Sequence, residues 1–452
     1  MSNIKKLMSS AAGGGGLNVE DVFSTYLWNY SSGSLTVQNG IDLANEGGLV
    51  WIKGRTSNYH WLHDSERTLS SGLHTNTADA PTTNASSVSS LNSDGFTTAG
   101  THSGSVDHAS WTFRKAPKFF DVVTYTGNGV AGREIAHDLG SAPGCIIIKR
   151  TDTTANWQVT HRGTTNPMKD YLYLNLTGSV YGTNSFFAVS DSTFTVSNGG
   201  YHNTSGATYV AYLFAHNDGD GGFGPNGDQD IIKCGSYTGT GSTNGPEIDL
   251  GFEPQWVMVK RSDGGSEHWA IIDNMREMIS LESNNAKMLK PNNSGAEEGV
   301  GFANPLPTGF KVNRNEGVTN ASGGTYIYIA IRRGPMAVPE SATDVFAISR
   351  QLNTSGGTPS YNSGFPVDMA INKYTTGTDA GTADRLRGAK DLQPSNYFAE
   401  YTNGVKTFDY MDGYYSPGAG ANSNYYSWMW KRAPGFFDMV AMTGTSSSSS
   451  HT

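Results

Sequence analysis

Short apolar runs ending on lysine recur along this chain. The first, Leu49-Val-Trp-Ile-Lys53, follows the turn Ile41-Asp-Leu-Ala-Asn-Glu-Gly-Gly. It returns as Cys145-Ile-Ile-Ile-Lys149 after His137-Asp-Leu-Gly-Ser-Ala-Pro-Gly, and as Trp256-Val-Met-Val-Lys260 after Ile248-Asp-Leu-Gly-Phe-Glu-Pro-Gln. A looser fourth copy is Gly364-Phe-Pro-Val-Asp-Met-Ala-Ile-Asn-Lys373. Apolar runs this short, bounded by Gly and Pro, predict buried strands rather than helices. An opening strand precedes each: Val22-Phe-Ser-Thr-Tyr-Leu27, Val122-Val-Thr-Tyr-Thr-Gly127, Ile231-Ile-Lys-Cys-Gly-Ser-Tyr-Thr-Gly239 and Val345-Phe-Ala-Ile-Ser349. A strand carrying Trp61, Trp157 or Trp269 follows, with Arg67, Arg162 or Arg276 just beyond it. The fourth copy has no Trp there, only Asp384-Arg-Leu-Arg-Gly388. Late strands such as Asp94-Gly-Phe96, Ser192-Thr-Phe-Thr-Val196 and Thr308-Gly-Phe-Lys-Val312 lead to a closing strand around Trp111, Tyr212, Ile329 or Trp428.

The chain is therefore a repeat protein. The strongest copy of the repeat junction is Phe113-Arg-Lys-Ala-Pro-Lys-Phe-Phe-Asp-Val-Val-Thr-Tyr-Thr-Gly127, matched by Trp430-Lys-Arg-Ala-Pro-Gly-Phe-Phe-Asp-Met-Val-Ala-Met-Thr-Gly444; Ile331-Arg-Arg-Gly-Pro335 is a weaker third. The closing strands step by 101, 117 and 99 residues. That is too long for solenoid or propeller-blade units and suits independent all-β domains of about 100 residues. The predicted fold is all-β, with tandem β-sandwich domains at 20–118, 119–222, 229–336 and 343–436, the last divergent. Residues 437–452 match the start of a further repeat, so either the natural chain continues or this strand completes a neighbour. Residues 1–19 stand apart as a short N-terminal helical anchor: Ile4, Leu7, Met8 and Ala11 fall at helical spacing before a glycine tether. So short a helix is marginal without a partner surface. A frayed terminus and a docking peptide both fit.

Composition narrows the class. Hydrophobic residues make up 36%, charged residues 16%, aromatics 11%, and there are 56 glycines among 452 residues. Abundant aromatics argue against disorder, and Ala/Leu/Glu/Lys-rich windows are missing, against a helical bundle. The net charge of -9 is spread along the chain without a basic stripe, which excludes a nucleic-acid partner. No apolar run is long enough for a transmembrane helix, so no membrane insertion is expected. The N-terminal apolar stretch is too short and broken for a signal peptide. Cys145 and Cys234 lie in apolar strand contexts and read as buried thiols.

Candidate chemistry is sparse. Asp218 to Asp230 is acidic and glycine-rich, but Gly222 and Phe223 break the calcium-loop register; a plain linker and a cation loop stay open. His63-Asp64 and His161 end equivalent strands, where the third repeat has Ile272-Asp273. No nucleophile elbow, paired metal-spaced His or phosphate loop is present. The chain reads as no enzyme, with no cofactor, no metal and no catalytic residue. The repeated lysines read as strand-edge charges that limit edge-to-edge pairing, and the repeated tryptophans as core. Aromatics that the repeats do not share make better binding candidates. Tyr410, Tyr414, Tyr415, Tyr425 and Tyr426, among Asn, Ser and Gly, are the residue mix of adaptable recognition surfaces; ordinary loop and strand tyrosines are the alternative.

The pattern Leu49-Val-Trp-Ile-Lys53, Arg55, Asp64-Ser-Glu-Arg67, Asp94-Gly-Phe96 and Trp111 through Gly127 resembles lectin-like repeats of structural proteins from tailed phages of marine bacteria, cyanophages in particular. Met1-Ser-Asn-Ile-Lys-Lys-Leu-Met8 followed by glycines looks like the start of such proteins. The resemblance is strong for repeats one to three and weaker for the fourth. It implies a lectin- or jelly-roll-like sandwich and a virion component, assembled in the host cytoplasm. The expected role is a tail fibre or tail-associated adhesin. Its anchor would be Ile4, Leu7 and Met8 against tail or connector proteins, its contact a host surface polysaccharide, and its oligomer a homotrimer. The rivals are a purely structural capsid-decorating, collar or baseplate fibre, and a polysaccharide depolymerase.

Overall fold

The computed structural model describes residues 15–29, 33–83, 87–99, 107–183, 187–280, 286–352, 358–375, 380–388, 390–402, 406–417 and 424–441. The anchor residues Ile4, Leu7 and Met8, and the stretch 442–452, lie outside them. The protein is all-β, built of several separate antiparallel sheets with a few one-turn helices.

Each repeat forms a main sheet in one strand order: opening, closing, lysine-bearing, then a fourth strand. In the first repeat these are Phe23–Trp28, His108–Arg114, Gly48–Gly54 and His60–Asp64. In the second they are Phe120–Thr126, Thr208–Phe214, Cys145–Arg150 and Gln158–His161. In the third they are Ile232–Thr238, Thr325–Arg332, Pro254–Arg261 and Ala270–Asp273. In the fourth they are Phe346–Arg350, Tyr425–Trp430, Met369–Tyr374 and Gly381–Asp384. The closing strand, last in sequence, inserts beside the first, so no sheet of this kind forms until the whole repeat has been traversed.

Strand register makes the repeats comparable residue by residue. Trp111 pairs with Thr25 and Trp51, Tyr212 with Val122 and Ile147, Ile329 with Cys234 and Met258, and Trp428 with Ile348 and Ile371. The four closing-strand positions expected to correspond do correspond. Two residues on, Phe113, Phe214, Ile331 and Trp430 occupy the next equivalent row on the same face. That row ends, on the fourth strand, in Asp64, His161, Asp273 and Asp384.

Small sheets accompany the large ones. Thr36–Gln38, Gly95–Thr98 and Val88–Asn92 form one, and Glu247–Asp249, Gly309–Val312 and Ala303–Leu306 another. Gly95 and Gly309 must be glycine, because a Cβ would stand 2.0 Å from the Val37 carbonyl oxygen and 1.9 Å from that of Ile248. In the first repeat Val37, Val88 and Phe96 of the small sheet share a buried cluster with Val50 and Ile52 of the main sheet. One face of the main sheet is thus covered within its own repeat.

The other face is covered differently. Trp51, Leu62, Trp111 and Phe113 of the first repeat, Cys145, Ile147, Val159, Tyr212 and Phe214 of the second, and Cys234, Trp256, Met258, Ile271, Ile329 and Ile331 of the third belong to one buried cluster. Phe113 meets Phe214 with ring centroids 5.6 Å apart and Trp256 at 6.0 Å, so all three repeats touch there. The sequence predicts separate domains; repeats one to three instead share a core, because the face pattern that looks like one sandwich layer is apolar on both sides. By compactness the chain has two units, 1–276 with 284–337, and 277–283 with 338–452.

The repeated lysines lock the first unit. Lys53, Lys149 and Lys260 are buried, not solvent-facing edge charges as the sequence suggested, while Lys373 of the fourth repeat is half-buried. Lys53 Nζ donates to the carbonyls of Ser294 and Gly295 in repeat three, Lys149 to Ala78 in repeat one, and Lys260 to Thr177 in repeat two. Each also bonds carbonyls of its own repeat. Three backbone bonds run beside them: Ala155 to Ala78, Val180 to Ser262 and Glu297 to Arg55. Repeat two thus meets one, three meets two, and one meets three, which closes a ring. Residues 15–22 strap it. Val19 and Val22 enter the core, the Gly16 amide donates to the Gly224 carbonyl and the Gly224 amide to that of Leu17, and the Glu20 carboxylate accepts from the amides of Met336 and Ala337 at 2.9 Å.

Burial depresses all three lysines to about 8. Between about pH 8 and the unfolded value near 10.5 the unfolded chain binds the protons and the folded chain does not, so stability rises with pH across that window. The expected result is a higher urea midpoint at pH 9.5 than at pH 7.5. Lys149→Met removes part of that rise, and it lowers stability at pH 7.5 by about 1–2 kcal/mol because three partly buried carbonyls lose their donor.

Candidate functional site

Polar groups concentrate where repeats of the first unit meet. The sequence placed His63-Asp64 and His161 at equivalent strand ends, and the structure buries them. Asp64 accepts from the Tyr212 hydroxyl at 2.7 Å and from Arg67 Nε at 2.8 Å. Burial, then the Asp64 charge, pushes the Tyr212 hydroxyl well above its ordinary value, so it stays a donor. Asp273 accepts from Trp111 Nε1 at 3.0 Å and from Arg276 Nε at 2.8 Å, with the guanidinium 5.4 Å from the Trp111 ring centre. At the third joint Ile329 has no donor, and His161 Nε2 bonds the Tyr328 carbonyl at 3.0 Å instead. His63 bonds Leu69 O at 3.1 Å and Ser87 Oγ at 2.7 Å. These side chains are buried in protein: Asp64, Asp273 and His161 bond across to another repeat, and His63 bonds within its own. The joint is legible in sequence as Asp-x-x-Arg: Asp64 to Arg67, Asp273 to Arg276, and again Asp384 to Arg387.

The Asp218–Asp230 loop folds on itself. Asp230 accepts from the amides of Gly219 at 2.8 Å and Gly221 at 3.0 Å, and Lys233 pairs with Asp218 and Asp230 at 3.6 and 3.7 Å. Among the described residues no group of three or more His, Cys, Asp or Glu could hold a metal. Both cysteines are free and buried in the core, with burial raising both thiols.

In the second unit the five tyrosines predicted for recognition do not form one surface. Tyr414 is fully buried, stacked between Tyr361 and Phe408 with ring centroids 5.2 and 5.4 Å away, and its hydroxyl meets Ser427 Oγ at 2.9 Å. It is a core residue and cannot touch a ligand; both residues of its strand, Gly413 and Tyr414, are buried. Tyr425 is half-buried against Tyr374 at 4.7 Å. Tyr426 receives Arg350 Nε on its hydroxyl at 2.7 Å, with the guanidinium 5.0 Å from its ring centre. Tyr410 and Tyr415 are half-buried.

Sequence reasoning missed the most open aromatics. Tyr397 is 94% exposed and Phe398 63%, with their rings 5.5 Å apart on the loop after Lys390–Asp391. The signal was available: neither has a counterpart in the other repeats, the same criterion that selected the tyrosines. A second open feature is the sheet face carrying Ile348, Trp428 and Ile371. Ile348 is 59% exposed and the other two half-buried, while their equivalents in the first three repeats are core.

Fold and surfaces together define an all-β repeat protein with a closed three-repeat body and a separate fourth repeat. The chain belongs to the family described as Domain of unknown function (DUF7483), whose model matches residues 20–335. The match spans the three ring repeats and stops before the fourth. No curated protein and no solved structure matches the chain.

Proposed function

We propose that this protein is a structural component of a tailed-phage virion, a tail fibre or tail-associated adhesin. In this reading each repeat is a two-sheet, lectin-like sandwich, the N-terminal residues dock to tail or connector proteins, and the fourth repeat contacts host surface glycan. The sequence resemblance of repeats one to three to phage structural repeats supports the virion assignment. The observation that carries the contact assignment is the exposed Tyr397–Phe398 pair. Flat aromatic faces held open to water suit the apolar faces of sugar rings, and large rigid side chains of this kind make up most binding hot spots. Many weak contacts on one particle would sum to high avidity.

Cryo-electron microscopy of the particle tests the placement: density for the N-terminal end at the tail and for the fourth repeat outward is expected. All repeats lying flat along a wall would sink the adhesin. On host polysaccharide arrays the intact chain should bind without releasing oligosaccharide, and Tyr397→Ala with Phe398→Ala should weaken binding by roughly tenfold or more. The burial of Tyr414 favours a second reading, a purely structural fibre, which predicts no array signal from the intact chain.

A further inference from the structure

Repeats one to three cover the same sheet face against one another. In each, the row through the closing strand is buried there: Thr25, Trp111, Trp51 and Leu62; Val122, Tyr212, Ile147 and Val159; Cys234, Ile329, Met258 and Ile271. Register assigns Ile348, Trp428, Ile371 and Thr382 to that row in the fourth repeat. Its neighbouring row is Phe346, Trp430, Met369 and Asp384, equivalent to Phe23, Phe113, Leu49 and Asp64. The opposite face of the fourth sheet is already closed by its own cluster of Tyr361, Val367, Ala370, Phe408, Tyr414 and Met429. The row face is not: Ile348 is 59% exposed, and Phe346, Trp428, Trp430, Met369 and Ile371 are half-buried, where Phe23, Phe113, Leu49 and Trp111 are 2% exposed or less.

The joint survives as well as the face. Asp384 accepts from the Arg387 amide at 2.8 Å and from Arg387 Nε, as Asp273 does from Arg276. The Asp64 and Asp273 side chains are 0% exposed, each capped by a Tyr or Trp donor from the next repeat; Asp384 is 8% exposed and no described residue supplies that donor. The indole of Trp428, at the position of Trp111, makes no ring contact or hydrogen bond among the described residues, although its backbone is paired on both sides.

We propose that the fourth repeat closes this face against the fourth repeats of two further copies of the chain, giving a homotrimer in which Trp428 of one copy caps the Asp384–Arg387 pair of the next. The occupant follows from the template. This fold covers this face three times over in the first unit, always with two other copies of itself, and three sheets close where one or two leave an edge row open. The ring of the first unit is complete, so its repeats offer no equivalent face. Aromatic and aliphatic side chains ringed by ion pairs are the composition of permanent homo-oligomer interfaces. The proposal supplies the self-association within the adhesin reading, but its test reads mass rather than glycan, so either can fail alone.

Mass photometry and light scattering of the full chain at micromolar concentration test it. The wild type is expected at about 145 kDa, three times the 48.3 kDa chain. Ile348→Glu, at an exposed position, and Trp428→Glu, at a half-buried one, should run at 48.3 kDa with unchanged β-type circular dichroism. Val130→Glu, at a position 61% exposed in the first unit, should stay trimeric. A monomeric or dimeric wild type overturns the proposal. So does a trimer that persists in Ile348→Glu. A monomeric wild type whose glycan binding is lost in Trp428→Glu would assign the face to a ligand instead.

Discussion

Arg276→Ala should cost the first unit about 3–5 kcal/mol, the range for breaking a buried ion pair from one side. Both partners are 0% exposed. Removing the guanidinium leaves the Asp273 carboxylate charged in a dry interior, holding only the Trp111 indole and its local amide contacts. It also strips the cation from the face of Trp111, at the joint between repeats one and three. The thermal midpoint should fall by roughly 10 °C for a unit of this size. Replacing both charges together, as Asp273→Leu with Arg276→Met, should recover most of the loss, since well-packed apolar residues often replace a buried pair without cost. If the single variant melts within a degree of wild type, this joint does not hold the ring.

Acid should open the ring through its histidines. Burial lowers His161 to about 3 and His202 to about 4. The hydrogen bonds explain why a second proton is refused at His161. Its Nε2 faces the Tyr328 carbonyl and its Nδ1 already accepts from the Gly163 amide at 2.9 Å, so no acceptor waits for a second N–H. His202 sits between Gln158 Oε1 at 2.7 Å and Ser197 Oγ. Both folded values lie below the unfolded value near 6.5. Below pH 6.5 the unfolded chain takes up protons that the folded chain refuses, so stability is complete above 6.5 and declines as pH falls toward 3. At pH 5 each histidine should cost about 2 kcal/mol. Urea unfolding at pH 7 and pH 5 checks this. His161→Gln, which keeps a donor and an acceptor, should remove its own share of the decline, about 2 kcal/mol at pH 5, and leave the share of the other lowered histidines, His60 among them. A pH-independent midpoint would mean that both rings protonate in place.

The repeats were legible because turn residues and apolar runs recur in register. Trp111, Tyr212, Ile329 and Trp428 could be aligned before any pairing was known, and the pairings agree. Cys145 and Cys234 read as buried thiols from their apolar neighbours, and they are. Side-chain direction was harder. Tyr414 looked like a binding residue because composition cannot distinguish an inward from an outward tyrosine on a two-residue strand. Tyr397 and Phe398 were overlooked although Ser395 and Asn396 precede them, because they form a single pair rather than a cluster of tyrosines.

The sequence by itself determined the all-β class, the four repeats and the order of their strands along the chain. All of these are local patterns set by periodicity, turn chemistry and spacing. Only the tertiary structure decided what each sheet's second face meets. In repeats one to three it meets the two other repeats, and the lysines read as edge charges become buried donors to a neighbour's carbonyls. In repeat four the same face stands open. The physical reason is that an apolar row records only a preference to leave water. Which surface covers it depends on closing a loop across about 100 residues of chain, and that geometry is written in no single stretch of sequence.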